Sequence, residues 1–398
     1  MKNKPLASIF LIVFIDLLGF GLILPLLPYY AESFGASDTV VGLLVASYAA
    51  AQLVGAPLLG RLSDRFGRRP ILLLSLLGTL FSFLLLGFAK TLGLLFIARI
   101  FDGITGGNIS VAQAYIADVT DEKSRAKGLG MIGAAFGLGF IFGPATGGFL
   151  SQWGYAVPAF AAAGLVTINL LMVYFWLPES LTPEKRVELA QAEKPKFTLR
   201  ALLDALQRPF SGSLLITRFF FGLAFSIFQT IFSLYALRRF NLEAQQTGYI
   251  LTYVGVLSVI VQGGLVGKLS ERFRDDYLII TSVGIMALSL LGWAFVPSVT
   301  MLLVVLAPIA FAGGILNTVI SSALTKTVQP QEIGGILGLA ASIESLTRVI
   351  APTLGGFLLE KLGFWSPGVF SALVLTVLFV YVWFSIFNHP MAQATPAK

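Results

Sequence analysis

The sequence predicts an all-α membrane protein, with twelve transmembrane helices in two pseudo-symmetric six-helix bundles and both termini cytoplasmic. Three observations carry this fold class. Of 398 residues, 56% are hydrophobic and 12% charged, with a mean hydropathy of +0.86, whereas soluble domains carry about 25% charged residues. The apolar residues fall into runs of about 20 or more, the length a helix needs to cross the hydrocarbon core, and they lack the strict alternation of a membrane barrel. A single long polar linker divides the runs into two sets of six, and short motifs recur at a fixed offset on either side of it.

Breaks at charges, Gly/Pro clusters and polar turns place the segments near 6–31, 39–60, 70–89, 92–116, 127–150 and 156–177, then 210–237, 245–267, 277–296, 299–323, 333–358 and 364–387. The first begins "MKNKPLASIF". Its apolar run is too long for a signal peptide and no small-residue cleavage site follows, so it is expected to stay in the membrane. Between the sixth and seventh runs lies "LPESLTPEKRVELAQAEKPKFTLRALLDALQRP", rich in Pro, Glu, Lys and Arg. The expected domains are an N-terminal bundle at 1–177, a cytoplasmic linker at 178–209, a C-terminal bundle at 210–388 and a tail at 389–398.

Orientation follows from Lys and Arg. With the N-terminus cytoplasmic, 20 of the 27 fall in inside segments and four, Lys90, Arg238, Arg239 and Lys361, outside. That asymmetry accounts for the net charge of +7, so no nucleic-acid partner is expected. The chain has no cysteine and one histidine, His389 in the tail. Thiol chemistry and Cys-based metal sites are excluded, and proton chemistry has to run on carboxylates.

The halves are copies. "GRLSDRF" at 60–66 returns as "GKLSERF" at 267–273, offset by 207, and "GPATGGFL" at 143–150 returns as "APTLGGFL" at 351–358, offset by 208. Duplicated bundles of this kind are built to bind near the membrane midplane. Gly60 suits close backbone approach and Pro70 the first turn of the next helix. Arg61 and Arg69 read as anchors at the charged rim. The fifth segment, "GLGMIGAAFGLGFIFGPATGG", has eight glycines, which let backbones pack closely, and Pro144 bends it.

Six charges fall inside helices: Asp16, Arg99, Asp102, Arg218, Glu344 and Arg348. Ionisable groups at that depth are costly and are functional candidates by default. Arg99 and Asp102, three apart, and Glu344 and Arg348, four apart, each share a helix face and also fit self-neutralising structural pairs. Asp16 and Arg218 have no partner on their own helices. Arg218 and Gln229 lie close to three turns apart, and with Phe221, Asn108, Gln113, Gln262 and Asn317 they are the substrate-binding candidates, lining a large pocket with a few polar handles. For each amide alone, hydrogen bonding between helices is the competing role. The seventh segment's phenylalanines cover more than one face.

These residues and motifs resemble the major facilitator superfamily over essentially the whole chain, specifically its twelve-helix drug/proton antiporters of the tetracycline-exporter type. "GRLSDRFGRRP" at 60–70 is similar to the signature between helices two and three, and "DLLGFGLILPLLP" at 16–28 to the first-helix motif. "RIFDGITGG" at 99–107 resembles the fourth-helix motif, and "GLGFIFGPATGG" at 137–148 the antiporter motif of helix five.

The resemblance implies a conformational latch formed by Gly60, Asp64, Arg65, Gly67 and Arg68 with Asp118. In it the acid meets the start of helix eleven, the arginine pairs with the acid ending helix four, and the outward-facing state is favoured. "RDDY" replaces "GRRP" in the second copy, so the latch is expected in full only in the first half. The resemblance also implies that Gly139, Gly143, Pro144, Gly147 and Gly148 seal one face against leak. Asp16 is the expected proton carrier with Arg99 its modulator, and Asp102, Glu344 and Arg348 complete the proton-coupling set. The chain departs from tetracycline exporters at Ser82, where they carry an acid, in helix nine, which lacks their acid, and at Asp102 and Glu344, which they lack.

The expected function is a proton-coupled antiporter that exports amphipathic, drug-like small molecules across the cytoplasmic membrane by alternating access. It is expected to act as a monomer in the lipid bilayer, with protons as coupling ion and no cofactor or metal. The alternative is a symporter or uniporter of a specific metabolite such as an organic anion. A membrane sensor or scaffold is a weaker rival, and no nucleophile–base constellation points to an enzyme.

Overall fold

The structure, a computed structural model, describes residues 4–191, 204–208, 210–329 and 332–387. Part of the expected linker and the expected tail at 389–398, with His389, lie outside the described residues. Every regular element among the described residues is helical, and twelve spans are long and apolar enough to cross a membrane.

The chain forms two compact units, Met1–Lys194 with Leu242–Gly255, and Pro195–Asn241 with Val256–Lys398. In the first, α1 (Lys4–Ile23) is followed by a short helix, α2 (Leu27–Glu32). Then come α3 (Asp38–Phe66), α4 (Arg68–Gly87), α5 (Leu92–Thr105), α6 (Asn108–Val119), α7 (Glu122–Leu150), α8 (Ala156–Trp176) and α9 (Pro183–Gln191). Pairs α1 and α7, α3 and α5, and α4 and α8 run against each other. The second unit holds α10 (Ser211–Phe240), the last five residues of α11 (Ala244–Ile260), whose earlier part belongs to the first unit, and α12 (Val266–Arg272), α13 (Asp275–Ala294), α14 (Val299–Lys326), α15 (Ile333–Leu362) and α16 (Ser366–Val382). There α10 packs on α15, and α13 on α14 and α16.

Four expectations change. The fourth segment is two helices, because backbone hydrogen bonding lapses at Gly106–Gly107 between α5 and α6. The first breaks before Pro25 and Pro28 restart the chain as α2. The eighth contains a π-helical stretch, Val261–Leu265, around Gln262. Finally, "GRLSDRF" is helix rather than loop: α3 runs to Phe66, and Gly67 alone makes the turn into α4. Its φ of +107° lies where a side chain is strained.

The α1–α7 contact explains the glycine-rich segment. A Cβ on Gly143 would lie 2.6 Å from the Gly21 carbonyl carbon, and one on Gly139 would lie 3.0 Å from Leu17 Cβ. Gly147 faces Leu22 in the same way. Four-residue spacing keeps all three on one stripe. Gly148 points elsewhere, to Ala244 and Gln245 at the start of α11, while the carbonyl of Pro144 lies against Gly248. Gly60, expected to admit a close neighbour, stands in open space: a Cβ there meets nothing within 4 Å.

Candidate functional site

Three clusters gather most of the sequence-predicted charged residues, together with Asn108 and Asn317. The first forms where the fourth segment uncoils. Gly107 N–H donates to Ser75 Oγ at 3.2 Å, Ser75 Oγ donates to the Thr105 carbonyl, and Gln52 Nε2 donates to the Gly106 carbonyl at 3.0 Å. These bonds satisfy backbone groups that the break orphans inside an apolar bundle. They also fix Asn108 at the first position of α6, from which Nδ2 donates to Asp16 Oδ1 on α1 at 2.8 Å.

One turn before the break, Arg99 and Asp102 are 2% and 3% exposed and pair at 2.9 Å. The Tyr48 ring lies 4.3 Å from the guanidinium carbon of Arg99. Arg99 therefore belongs to Asp102, and among the described residues no cation pairs with Asp16. Two acids against one arginine leave this cluster at −1 when all are ionised. Two buried polar atoms within it, Arg99 Nε and Asn108 Oδ1, have no partner among the described residues.

The second cluster joins α10, α14 and α15. Arg218 on α10 donates to Glu344 Oε2 at 2.6 Å, and Arg348, one turn beyond Glu344 on α15, donates to Oε1 at 2.5 Å. Arg218 also reaches the Asn317 carbonyl at 3.2 Å and Ser321 Oγ at 3.4 Å. The expected Glu344–Arg348 pair is thus a triad, bridged by a residue 126 positions away, and it carries +1. Asn317 contributes its carbonyl oxygen. Gln113, Gln229 and Gln262 are exposed, and Phe221 is buried and stacked on Phe225. None of these four joins the two charge clusters. Ser82, buried, donates to the Ala98 carbonyl at 2.7 Å.

The third cluster surrounds Gly67. Arg68 pairs with Asp118 through Nε at 2.9 Å and with Asp64 through Nη1 at 2.5 Å, and it donates to Ser63 Oγ at 2.7 Å. Arg65 points away, over the Phe66 ring. Sequence reasoning missed the acid that completes this joint. Glu179 accepts from the backbone N–H groups of Arg68 at 2.9 Å and Arg69 at 3.1 Å, at the open N-terminus of α4, a position that suits a negative charge. Its neighbour Ser180 donates to Asp118 Oδ2 at 3.0 Å. The start of the expected linker, "LPES", is therefore docked into the first unit. The signal was available in an acid and a serine directly after an apolar span, but nothing in the spacing named their partner.

The second unit carries a related joint. Lys326, ending α14, donates to Asp275 at 2.7 Å, and Arg274 pairs with Asp276 at 2.5 Å. The second half thus has an ion pair of its own at the corresponding helix ends, beside the latch expected in full in the first half.

The chain matches the family model of the Major Facilitator Superfamily at residues 9–298 and 215–398. It is 32% identical over 391 residues to the class H tetracycline resistance protein of Pasteurella multocida, covering 96% of each chain. It is 32% identical over 377 residues to solute carrier family 22 member 18 of Mus musculus, covering 92% of this chain and 91% of the other. With multidrug resistance protein 2 of Bacillus subtilis it shares 31% over 370 residues, 92% of this chain and 91% of the other. Among solved structures, the human organic anion transporter MFSD10 (TETRAN) superposes with a TM-score of 0.71 at 23% identity, over 96% of this chain and 99% of that one, a likeness of fold.

Proposed function

The chain belongs to the Major Facilitator Superfamily, a multi-pass transporter of the cytoplasmic membrane rather than an enzyme, and from that premise we propose that it is a proton-coupled antiporter exporting amphipathic, drug-like molecules by alternating access. The observation that carries the reading is Asp16. It is a carboxylate at membrane depth, held by one amide of Asn108, while the nearby arginine is committed to Asp102. A carboxylate so placed changes protonation when its access to water changes, and no thiol or imidazole competes for that role within the spans.

Arg99, paired with Asp102 on the same segment whose break presents Asn108, acts on Asp16 through that neighbouring ion pair rather than by direct contact. The Arg68 joint biases the equilibrium between access states. Identity of about 32% to tetracycline and multidrug resistance proteins supports an exported, drug-like substrate. The rival, a symporter or uniporter of a specific metabolite, draws support from the solute-carrier relative.

Proteoliposomes loaded with a pH-sensitive dye separate these readings. An imposed gradient of an exported amphipath drives protons the opposite way if the chain is an antiporter. Movement in the same direction, or none, overturns antiport.

A further inference from the structure

We propose that the C-terminal unit binds the acid group of an organic anion on Arg348. This rests on the transport reading above and names its substrate class.

The charges of the triad do not balance. Each oxygen of Glu344 takes one guanidinium, Oε2 from Arg218 and Oε1 from Arg348, and among the described residues no other carboxylate pairs with either arginine. The two arginines are unlike. Arg218 is buried and divides its donors among Glu344, the Asn317 carbonyl and Ser321. It anchors Glu344. Arg348 makes one ion pair and its side chain is 56% exposed. Its planar fork keeps further N–H donors open, in the geometry that grips a carboxylate with two parallel hydrogen bonds.

Depth decides what can satisfy them. Arg348 lies midway along the 30-residue helix Ile333–Leu362, about 20 Å of helix from either end at 1.5 Å per residue. Its side chain cannot snorkel to the interface over that distance, and a lipid headgroup cannot reach it. An exposed arginine in a cluster that keeps a net charge of +1 at that depth faces a water-accessible passage rather than acyl chains. The anion that neutralises it there is one that enters the passage, a transported solute.

The test uses the full-length protein in nanodiscs with three probes of one body: 4-phenylbutyrate, 4-phenylbutyramide and 4-phenylbutylamine. The carboxylate is expected to bind at least ~10-fold tighter than the amide, the scale of one charge-assisted hydrogen bond, and the amine weakest. Arg348→Gln brings the carboxylate down to the amide's affinity and leaves the amide unchanged, which also shows that the variant is folded. Arg348→Lys keeps the charge but not the fork and loses an intermediate amount. No preference for the carboxylate, or equal loss of all three probes in Arg348→Gln, overturns the proposal. Proton counterflow with an amphipathic cation and no carboxylate preference sinks this inference alone. Carboxylate-selective binding without proton counterflow sinks the antiport reading alone.

Discussion

Lys326 meets Asp275 at 2.7 Å where the N-terminal unit has Asp118 meeting Arg68 at 2.9 Å, the same joint between helix ends with its charges exchanged. Asp275 follows Arg68 by 207 residues and Lys326 follows Asp118 by 208, the offsets of the two repeated motifs. Duplication preserved the pairing while the signs reversed, so the repeated motif marks the second copy but does not show its ion pair.

The two joints differ in burial, and that sets a contrast in stability. Arg68 and Asp118 side chains are 7% and 9% exposed, whereas Lys326 is 61% and its partner Asp275 14% exposed. Removing one partner of a buried pair costs about 3–5 kcal/mol, and an exposed pair is worth about 0–1 kcal/mol. Arg68→Ala removes the cation that Asp64 and Asp118 share and is expected to lower the melting temperature of the detergent-solubilised protein by many degrees, and Lys326→Ala by much less. Equal shifts would refute the ranking.

Gly67→Ala places a Cβ 2.9 Å from the Glu179 carboxyl carbon at a φ of +107°. Strain of this kind costs about 1–3 kcal/mol. Glu179→Gln keeps the shape but loses the charge at the N-terminus of α4, a loss of about 0.3–1 kcal/mol. Thermal melts of the two variants should rank in that order, and salt should narrow the gap between wild type and Glu179→Gln.

Asp16→Asn is expected to abolish transport driven by a proton gradient while sparing exchange of substrate across the membrane. Counterflow assays in proteoliposomes read both. Loss of both together would assign Asp16 to binding or folding.

Asp102→Asn leaves Arg99 buried and unpaired, at a cost of about 3–5 kcal/mol. The double variant Arg99→Gln with Asp102→Asn removes both charges and should recover most of that stability. Recovery of stability together with proton-driven transport would mark the pair as structural. Recovery of stability alone would place it in the coupling path.

Gly143→Ala should destabilise the first unit by about 1–3 kcal/mol, the usual penalty for overpacking, because its Cβ meets the backbone of Gly21. Gly133→Ala, ten residues earlier on the same helix, meets nothing within 4 Å and should be neutral. Melting curves of the pair test whether the stripe, rather than glycine content, is what α7 requires.

The sequence by itself determined the twelve spans, the two halves and the list of charges at membrane depth. Those features are local: about 20 apolar residues must form a helix in lipid, and a charge among them is visible without knowing its neighbours. It also placed Arg99 beside Asp102 and Glu344 beside Arg348, since three- and four-residue spacings share a face. Only the tertiary structure decided that Asp16 meets Asn108 rather than Arg99, that Arg218 completes the Glu344 triad, and that Glu179 caps α4. Helical periodicity fixes which residues share a face of one helix, but the partner across the interface depends on which helices pack and where they break. At Gly106–Gly107 the break carries Asn108 to Asp16, and no pattern within the fourth segment states that destination.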